Sequence, residues 1–309
     1  MPVVDVDPDE LRTLVDTDRS DEELRADLFA LGLEFEGTTE EGDFQLEFAP
    51  DRLDRLSVEG IARSLRYQYG TDRGVYVPGA NDAEWTIAVD GPPAERPYVT
   101  GAIVRGLDLD DRALDSLIQL QEKLHATMGR KRAKGAIGIH DLVAIKGDAL
   151  TEEGDGNSIT YTGIDPEGDT FVPLDSDREM TPAEVLEEHP TGETYADIVS
   201  EYDRYPAIYD ELGLFSFPPV INGRRTEVST ESRELLVELT GTDQWTIDRM
   251  CNIICYALSA RGATIEEVEV EYGESSPEGE RTLVRPDFEV ETKSVSHDRI
   301  ETMLGVDLD

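Results

Sequence analysis

LQEKLHATMGRKRAKGAIGIHDL (residues 120–142) changes character twice. Its first part belongs to a run, Leu114–Met128, in which Leu117, Leu120 and Leu124 recur at helical spacing. Its last part opens Ala136–Ile145, an apolar stretch that reads as a buried strand. A helix handing over to a strand, repeated along the chain, predicts a mixed α/β or α+β fold. Within this stretch five positive charges fall in twelve residues: Lys123, Arg130, Lys131, Arg132 and Lys134.

Those charges stand against an acidic background. The 309-residue chain carries 69 acidic and 28 basic residues, a formal net charge of −41, and three of its five lysines are in this patch. A solvated helix end favoured by the helix dipole is one explanation. An anionic partner, above all a phosphate backbone, is the other, and it accounts for lysines that the rest of the surface avoids. With 38% hydrophobic residues in periodic runs, the acid excess reads as adaptation to high salt and not as disorder. At molar salt the Debye length is only about 3 Å, so the self-repulsion is screened. The chain is therefore expected to loosen at low ionic strength. Far-ultraviolet circular dichroism that stayed flat down to millimolar salt would contradict this. Counterion release weakens steeply at high salt, so the patch would have to work through directed hydrogen bonds, which suits arginine forks.

Working outward, residues 1–86 read as one compact α/β unit. Strand Val3–Val6 leads to helix Pro8–Val15, then to helix Asp21–Leu31 capped by Ser20 with Glu23 three residues on. Strand Asp43–Phe48 and helix Leu56–Tyr69, stopped by Gly70, complete it. Residues 87–97 read as linker, with Trp85–Val89 as a short strand at its edge. Residues 98–274 form a larger unit. Its expected strands are Tyr98–Val104, Ala136–Ile145, Ile159–Gly163, Thr170–Pro173, Pro206–Tyr209, Leu214–Phe217, Leu235–Thr240 and Thr264–Tyr272. Helices are predicted from the Thr181–Glu184 capping box and over Ile247–Arg261. Residues 282–309, with strand Asp287–Val290 and helix His297–Leu304, are too few to bury a core and read as the start of a further domain. There is no apolar run long enough for a membrane span and no signal-peptide pattern at the N-terminus. Cys251 and Cys255, spaced i, i+4 in an apolar helix, read as buried thiols. His125, His140, His189 and His297 have no zinc-site spacing, so no structural metal is expected.

Three segments, in order and spacing, resemble the β subunit of phenylalanyl-tRNA synthetases of the archaeal and eukaryotic type. They are APDRLDRLSVEGIARSLRYQYG (49–70), LQEKLHATMGRKRAKGAIGIHDL (120–142) and YPAIYDELGLFSFPPVINGRRTEVSTESRELLVELTGTD (205–243). Asp51 departs from the family's usual Asn. The short stretch 87–97 leaves no room for the tRNA-binding barrel of bacterial relatives. The resemblance covers essentially the whole chain but only the first half of such a subunit. It implies a small N-terminal α/β domain, a mixed-sheet editing domain over 98–274 and the beginning of a helical domain from 282. It further implies a cytoplasmic complex of two α and two β subunits acting on tRNA(Phe). ATP and magnesium would be used by the complete complex, with no cofactor in this portion and no aminoacylation by this chain alone.

The residues point to a site on their own terms as well. Glu238 is an acid in an otherwise apolar strand, placed to accept a hydrogen bond or to face outward. Asn222 sits where a strand opens into a turn, and Ser216 lies just before Pro218 and Pro219. Asn222 reads either as an amide that orients the ester or a water or as a plain turn asparagine, and Ser216 either as a pocket residue or as a plain strand serine. The resemblance implies that Glu238 binds a tyrosyl hydroxyl and that Gln121 lies near the pocket or the 3′ end of the tRNA. Lys123 and Arg132 would then hold phosphate, with Arg130, Lys131 and Lys134 extending the RNA contact. His140 reads either as a general base or as a buried strand histidine between apolar neighbours. No nucleophile elbow and no Walker sequence are present, so hydrolysis would use a positioned water. A non-catalytic tRNA-docking scaffold is the competing reading. An intact pocket holding Glu238 and Asn222 favours the first, a filled one the second.

Overall fold

A computed structural model describes residues 2–48, 52–147 and 157–308. The segment Ala49–Asp51, with the Asp51 departure, lies outside the described residues. The first sheet has the order β1–β3–β2, from β1 (Val3–Val6), β2 (Leu33–Thr38) and β3 (Phe44–Phe48). It carries helices α1 (Pro8–Val15), α2 (Asp21–Ala30) and α3 (Val58–Tyr69). The ends of these helices are chemically marked. Asp7 caps α1, Ser20 and Glu23 form a reciprocal capping box on α2, and Gly70 closes α3 at φ 75°.

Among the described residues ten strands build the second sheet. They are β4 (Ala80–Asp90), β5 (Tyr98–Arg105), β6 (Gly135–Asp141), β7 (Asn157–Ile164), β8 (Tyr205–Asp210), β9 (Gly213–Phe217), β10 (Ile221–Asn222), β11 (Glu234–Gly241), β12 (Thr264–Tyr272) and β13 (Arg281–Arg285). The order is β10–β9–β8–β7–β4–β12–β5–β11–β6, with β13 added to β12. β4 runs parallel to both β7 and β12, and the remaining pairings are antiparallel. Helices α4 (Asp111–Ala126) and α7 (Gln244–Ala260) cover one face, bringing Leu117, Leu120 and Leu124 against Ile137, Leu239 and Ile254. The other face curls on itself. Phe215 of β9 meets the ring of His140 of β6 edge-on at 5.0 Å, although these strands stand near opposite ends of the order. α5 (Pro182–Glu188) and α6 (Pro190–Val199) close the β8–β9 end. Among the described residues no helix is long and apolar enough to cross a membrane.

Several expectations are corrected. Residue 86 and the stretch 87–97 do not divide the sheets, because β4 enters the large sheet at Ala80 and runs to Asp90. One apolar core runs through both units, joining Leu11 and Leu65 to Leu117 and Ile254. The buried Glu59 meets Arg261 across the same boundary. Thr170–Pro173 is not a strand. Phe171 pairs singly with Met180 and Pro173 with Gly223, so no ladder forms. Asp287–Val290 is not a strand either; the pairing segment is β13, and Pro286, lacking an N–H, ends it. β2 and α6 escape the sequence reading. The first buries little beyond Leu33, and the second starts directly on Pro190 behind a histidine cap. α8 (His297–Leu304) forms as expected and buries none of its residues. Cys251 and Cys255 are buried free thiols.

Candidate functional site

The curled face gathers its polar side chains where the two ends of the strand order meet. Glu238, in the middle of β11, pairs with Gly101 of β5 on one side and Gly138 of β6 on the other. Opposed residues share a face, and the missing side chain of Gly138 leaves the carboxylate room to lie across β6, while the space over Gly101 is taken by Ile87 and Val268. A Cβ on Gly138 would stand 2.1 Å from Glu238 Oε1 and 2.8 Å from His140 Nε2. Glu238 is only 1% exposed, and its Oε2 has no hydrogen-bond partner among the described residues. A buried carboxylate with a vacant lone pair is costly and suits a donor brought by a ligand.

Around it, Ser216 Oγ lies 3.5 Å from Glu238 Oε1 and donates to Asn222 Oδ1 at 3.2 Å. Asn222 Nδ2 reaches the Ile139 carbonyl at 3.4 Å, so β10 is tied to β6. His140 Nε2 stands 3.6 Å from Glu238 Oε1, and its Nδ1 is 2.8 Å from Thr226 Oγ1. Gln121, on α4, donates to the Ile137 carbonyl at 2.9 Å. These elements enclose a cavity of 190 Å³ lined by Gln121, Arg132, Gly138, Asn222 and Glu238, with Pro218 to Ile221 on its wall and Leu174, Asp175 and Thr191 beside them. That is below the roughly 300 Å³ at which drug-sized ligand pockets begin, so it fits one small group.

The basic patch divides into different roles. Arg130, Lys131 and Arg132 follow one another in the left-handed region, at φ 49°, 54° and 71°. Each such non-glycine residue costs about 1–2 kcal/mol. The restraint comes from Arg96, a fully buried residue in the stretch read as linker. Its guanidinium donates to the carbonyls of Thr240 (2.8 Å), Arg132 and Ala133 (3.3 Å). The buried Tyr161 hydroxyl donates to the Arg96 carbonyl at 2.6 Å, and burial raises the pKa of that hydroxyl. His125 accepts from the Ile137 N–H at 2.8 Å; burial first, then Arg132 and Arg96, push its pKa down to about 3, so the ring is neutral.

Arg132 turns inward. It donates to the Pro219 (3.2 Å) and Val220 (2.8 Å) carbonyls and lies over the Tyr195 ring at 4.1 Å. Burial lowers its pKa. Arg130 and Lys131 are exposed, and Lys134 Nζ is 3.4 Å from Asp243. Lys123 is not in the patch. It borders a separate cleft of 440 Å³ among Asp5, Asp7, Asp43, Asp115 and Glu122. Arg96 and Gly138 were missed by the sequence reading. Gly138 left a signal, a glycine inside the apolar strand sequence GAIGIH, while Arg96 left none.

No family model matches the chain. Its fold superposes on the crystal structure of an N-terminal fragment of the phenylalanyl-tRNA synthetase β subunit from Pyrococcus horikoshii. The TM-score is 0.91 at 30% identity, covering 100% of this chain and 86% of that one. The chain belongs to the phenylalanyl-tRNA synthetase β-subunit family. It is 72% identical over 311 residues to the phenylalanine–tRNA ligase β subunit of Halobacterium salinarum, covering 99% of this chain and 53% of that protein. To the β subunit of Halorubrum lacusprofundi it is 73% identical over 314 residues, and to that of Methanocaldococcus jannaschii 37% over 313, each covering 100% of this chain and 54% of the relative. The chain thus spans about half the length of the curated relatives it matches. In this member of the β-subunit family two triads among the described residues, His297/Asp298/Glu301 and Glu34/Glu36/Glu47, bring ligand atoms within 4.8 Å of one another. Neither lines the cavity around Glu238.

Proposed function

We propose that this chain is part of a β subunit of phenylalanine–tRNA ligase, and that the unit around Glu238 hydrolyses tyrosine wrongly esterified to tRNA(Phe). In the complete complex it would work with an α subunit, two copies of each, in the cytoplasm, with ATP and magnesium serving aminoacylation there. The observation that carries the editing reading is the small cavity bordered by a buried carboxylate whose Oε2 has no partner among the described residues. A tyrosyl hydroxyl supplies the missing donor, whereas a phenylalanyl ring would leave the carboxylate unsatisfied. A site built to bond a hydroxyl rejects the analogue lacking it by as much as about 10⁴–10⁵, while a pocket shaped for phenylalanine rejects an added hydroxyl weakly. A scaffold that only docks RNA has no use for such a cavity.

Hydrolysis then follows from placement. A water held by the Asn222 amide adds to the ester carbonyl, the bond to the ribose oxygen breaks, and the proton passes to that oxygen. The products are free tyrosine and a tRNA with its hydroxyl restored. Ser216 is fully buried and donates to Asn222, so it supports the amide and is not a nucleophile. Proximity and oriented dipoles carry the rate. The exposed Arg130 and Lys131 are the RNA phosphate contacts, and Arg132 shapes the mouth. Glu238→Ala is expected to cut the ratio of tyrosyl to phenylalanyl ester hydrolysis by about 100-fold or more, the scale of a lost hydrogen-bonding selector. Asn222→Ala should slow both esters about 10²-fold, as loss of an orienting donor does. Single-turnover deacylation of the two charged tRNAs checks both; unchanged rates and ratio in both variants would exclude these roles.

A further inference from the structure

Glu238 accounts for recognition of a side chain but not of an amino acid. Its acceptor sits in the buried part of the cavity, whereas the ester and the α-carbon must lie near the open rim with Asn222. At that rim stands a second carboxylate, Asp175, which borders both this cavity and an adjoining cleft of 320 Å³ formed with His189, Pro190 and Thr191. Asp175 is exposed, and among the described residues its carboxylate has no hydrogen bond and no ion-pair partner. It is held in the left-handed region at φ 60°, a conformation worth about 1–3 kcal/mol of strain that a tight turn must sustain. The turn is pinned to the site itself. The Leu174 N–H donates to the Asn222 carbonyl at 2.9 Å, Ser176 N–H donates to the Pro173 carbonyl at 3.3 Å, and Pro173 pairs with Gly223.

The other charged groups lining the cavity are Glu238, buried, and Arg132, a cation already engaged with two carbonyls. The α-amino group of an aminoacyl ester is less basic than a peptide N-terminus, at about 7.7–8.0, because the ester withdraws electrons, and a facing carboxylate favours its ammonium form near neutral pH. We infer that Asp175 binds the α-ammonium of the aminoacyl ester, so that the site prefers esters of free amino acids to N-blocked ones. This rests on the editing reading proposed above. It adds a second selector: Glu238 reads the far end of the amino acid, and Asp175 reads the near end, contributing binding and leaving the chemical step to Asn222.

The test compares deacylation of Tyr-tRNA(Phe) and N-acetyl-Tyr-tRNA(Phe) by the 309-residue chain and by its Asp175→Asn variant. Asparagine tolerates the same left-handed backbone, so the turn is retained. The unaltered chain is expected to prefer the free-amino ester. Asp175→Asn is expected to raise KM for that ester by about five- to tenfold, the scale of a partly exposed charged hydrogen bond, with kcat changed less than about twofold. The N-acetyl ester should be hydrolysed as before. Retained preference for the free-amino ester in Asp175→Asn, or an equal slowing of both esters, would overturn the inference while leaving editing intact. Failure of the unaltered chain to hydrolyse either ester would overturn the editing reading and this inference with it.

Discussion

Gly138→Ala should remove tyrosyl-ester hydrolysis almost completely, by about 10²–10³-fold, the size expected when a preorganised polar contact is lost from a buried site. Adding a methyl group to a strand glycine is ordinarily neutral or helpful. Here the new Cβ would meet Glu238 Oε1 at 2.1 Å and His140 Nε2 at 2.8 Å. Ser216 and His140 flank the carboxylate, so the open direction left to it is the cavity itself. Either Glu238 moves into the cavity and fills it, or β6 shifts from β11. Overpacking of this kind costs about 1–3 kcal/mol, which a well-packed fold survives. Ester hydrolysis should therefore fall far more than stability, as deacylation rates and thermal melting in the same high-salt buffer would show. Near-normal hydrolysis in Gly138→Ala would mean that Glu238 does not need its observed position.

Arg96→Ala should have the larger effect on the fold. The side chain is fully buried and gives hydrogen bonds to three carbonyls, those of Thr240, Arg132 and Ala133. Truncation leaves these acceptors in a dry cavity. It also frees a turn in which three consecutive residues hold positive φ. An unmet buried acceptor costs about 1–3 kcal/mol, and the cavity adds to this, so a loss of about 4 kcal/mol is expected in denaturant unfolding. Arg96→Lys should recover little, since an ammonium cannot span carbonyls that a guanidinium fork bridges. A loss below about 1 kcal/mol would show that the turn holds its shape without Arg96.

What could be read in the sequence followed chemical punctuation. α1, α8 and β12 were read to the residue, because Asp7 with Pro8, Ser296 before His297, and Gly262 mark their ends. The acid in the apolar strand β11 was equally visible and marked Glu238. Elements without such marks were misplaced. β4 begins in a stretch of Asn, Asp and Glu that resembles a linker, yet its pairing with β12 and β7 carries it through the centre of the sheet. Arg96 was invisible for the same reason: its partners lie 36 to 144 residues away in the chain. Lys123 and Arg132 are near in sequence but part in the fold. The first joins an acidic cleft beside α1 and the second turns toward Pro219. The proximity of Ser216, Asn222 and Glu238 depends on a sheet whose two ends meet, which no local pattern encodes.

The editing reading stands or falls on one comparison: the purified chain mixed separately with Tyr-tRNA(Phe) and Phe-tRNA(Phe) in high-salt buffer, with loss of each ester followed over time. Rapid loss of the tyrosyl ester with the phenylalanyl ester spared is the expected result. Survival of both esters while the tRNA remains bound would contradict it and leave the RNA-docking scaffold in its place.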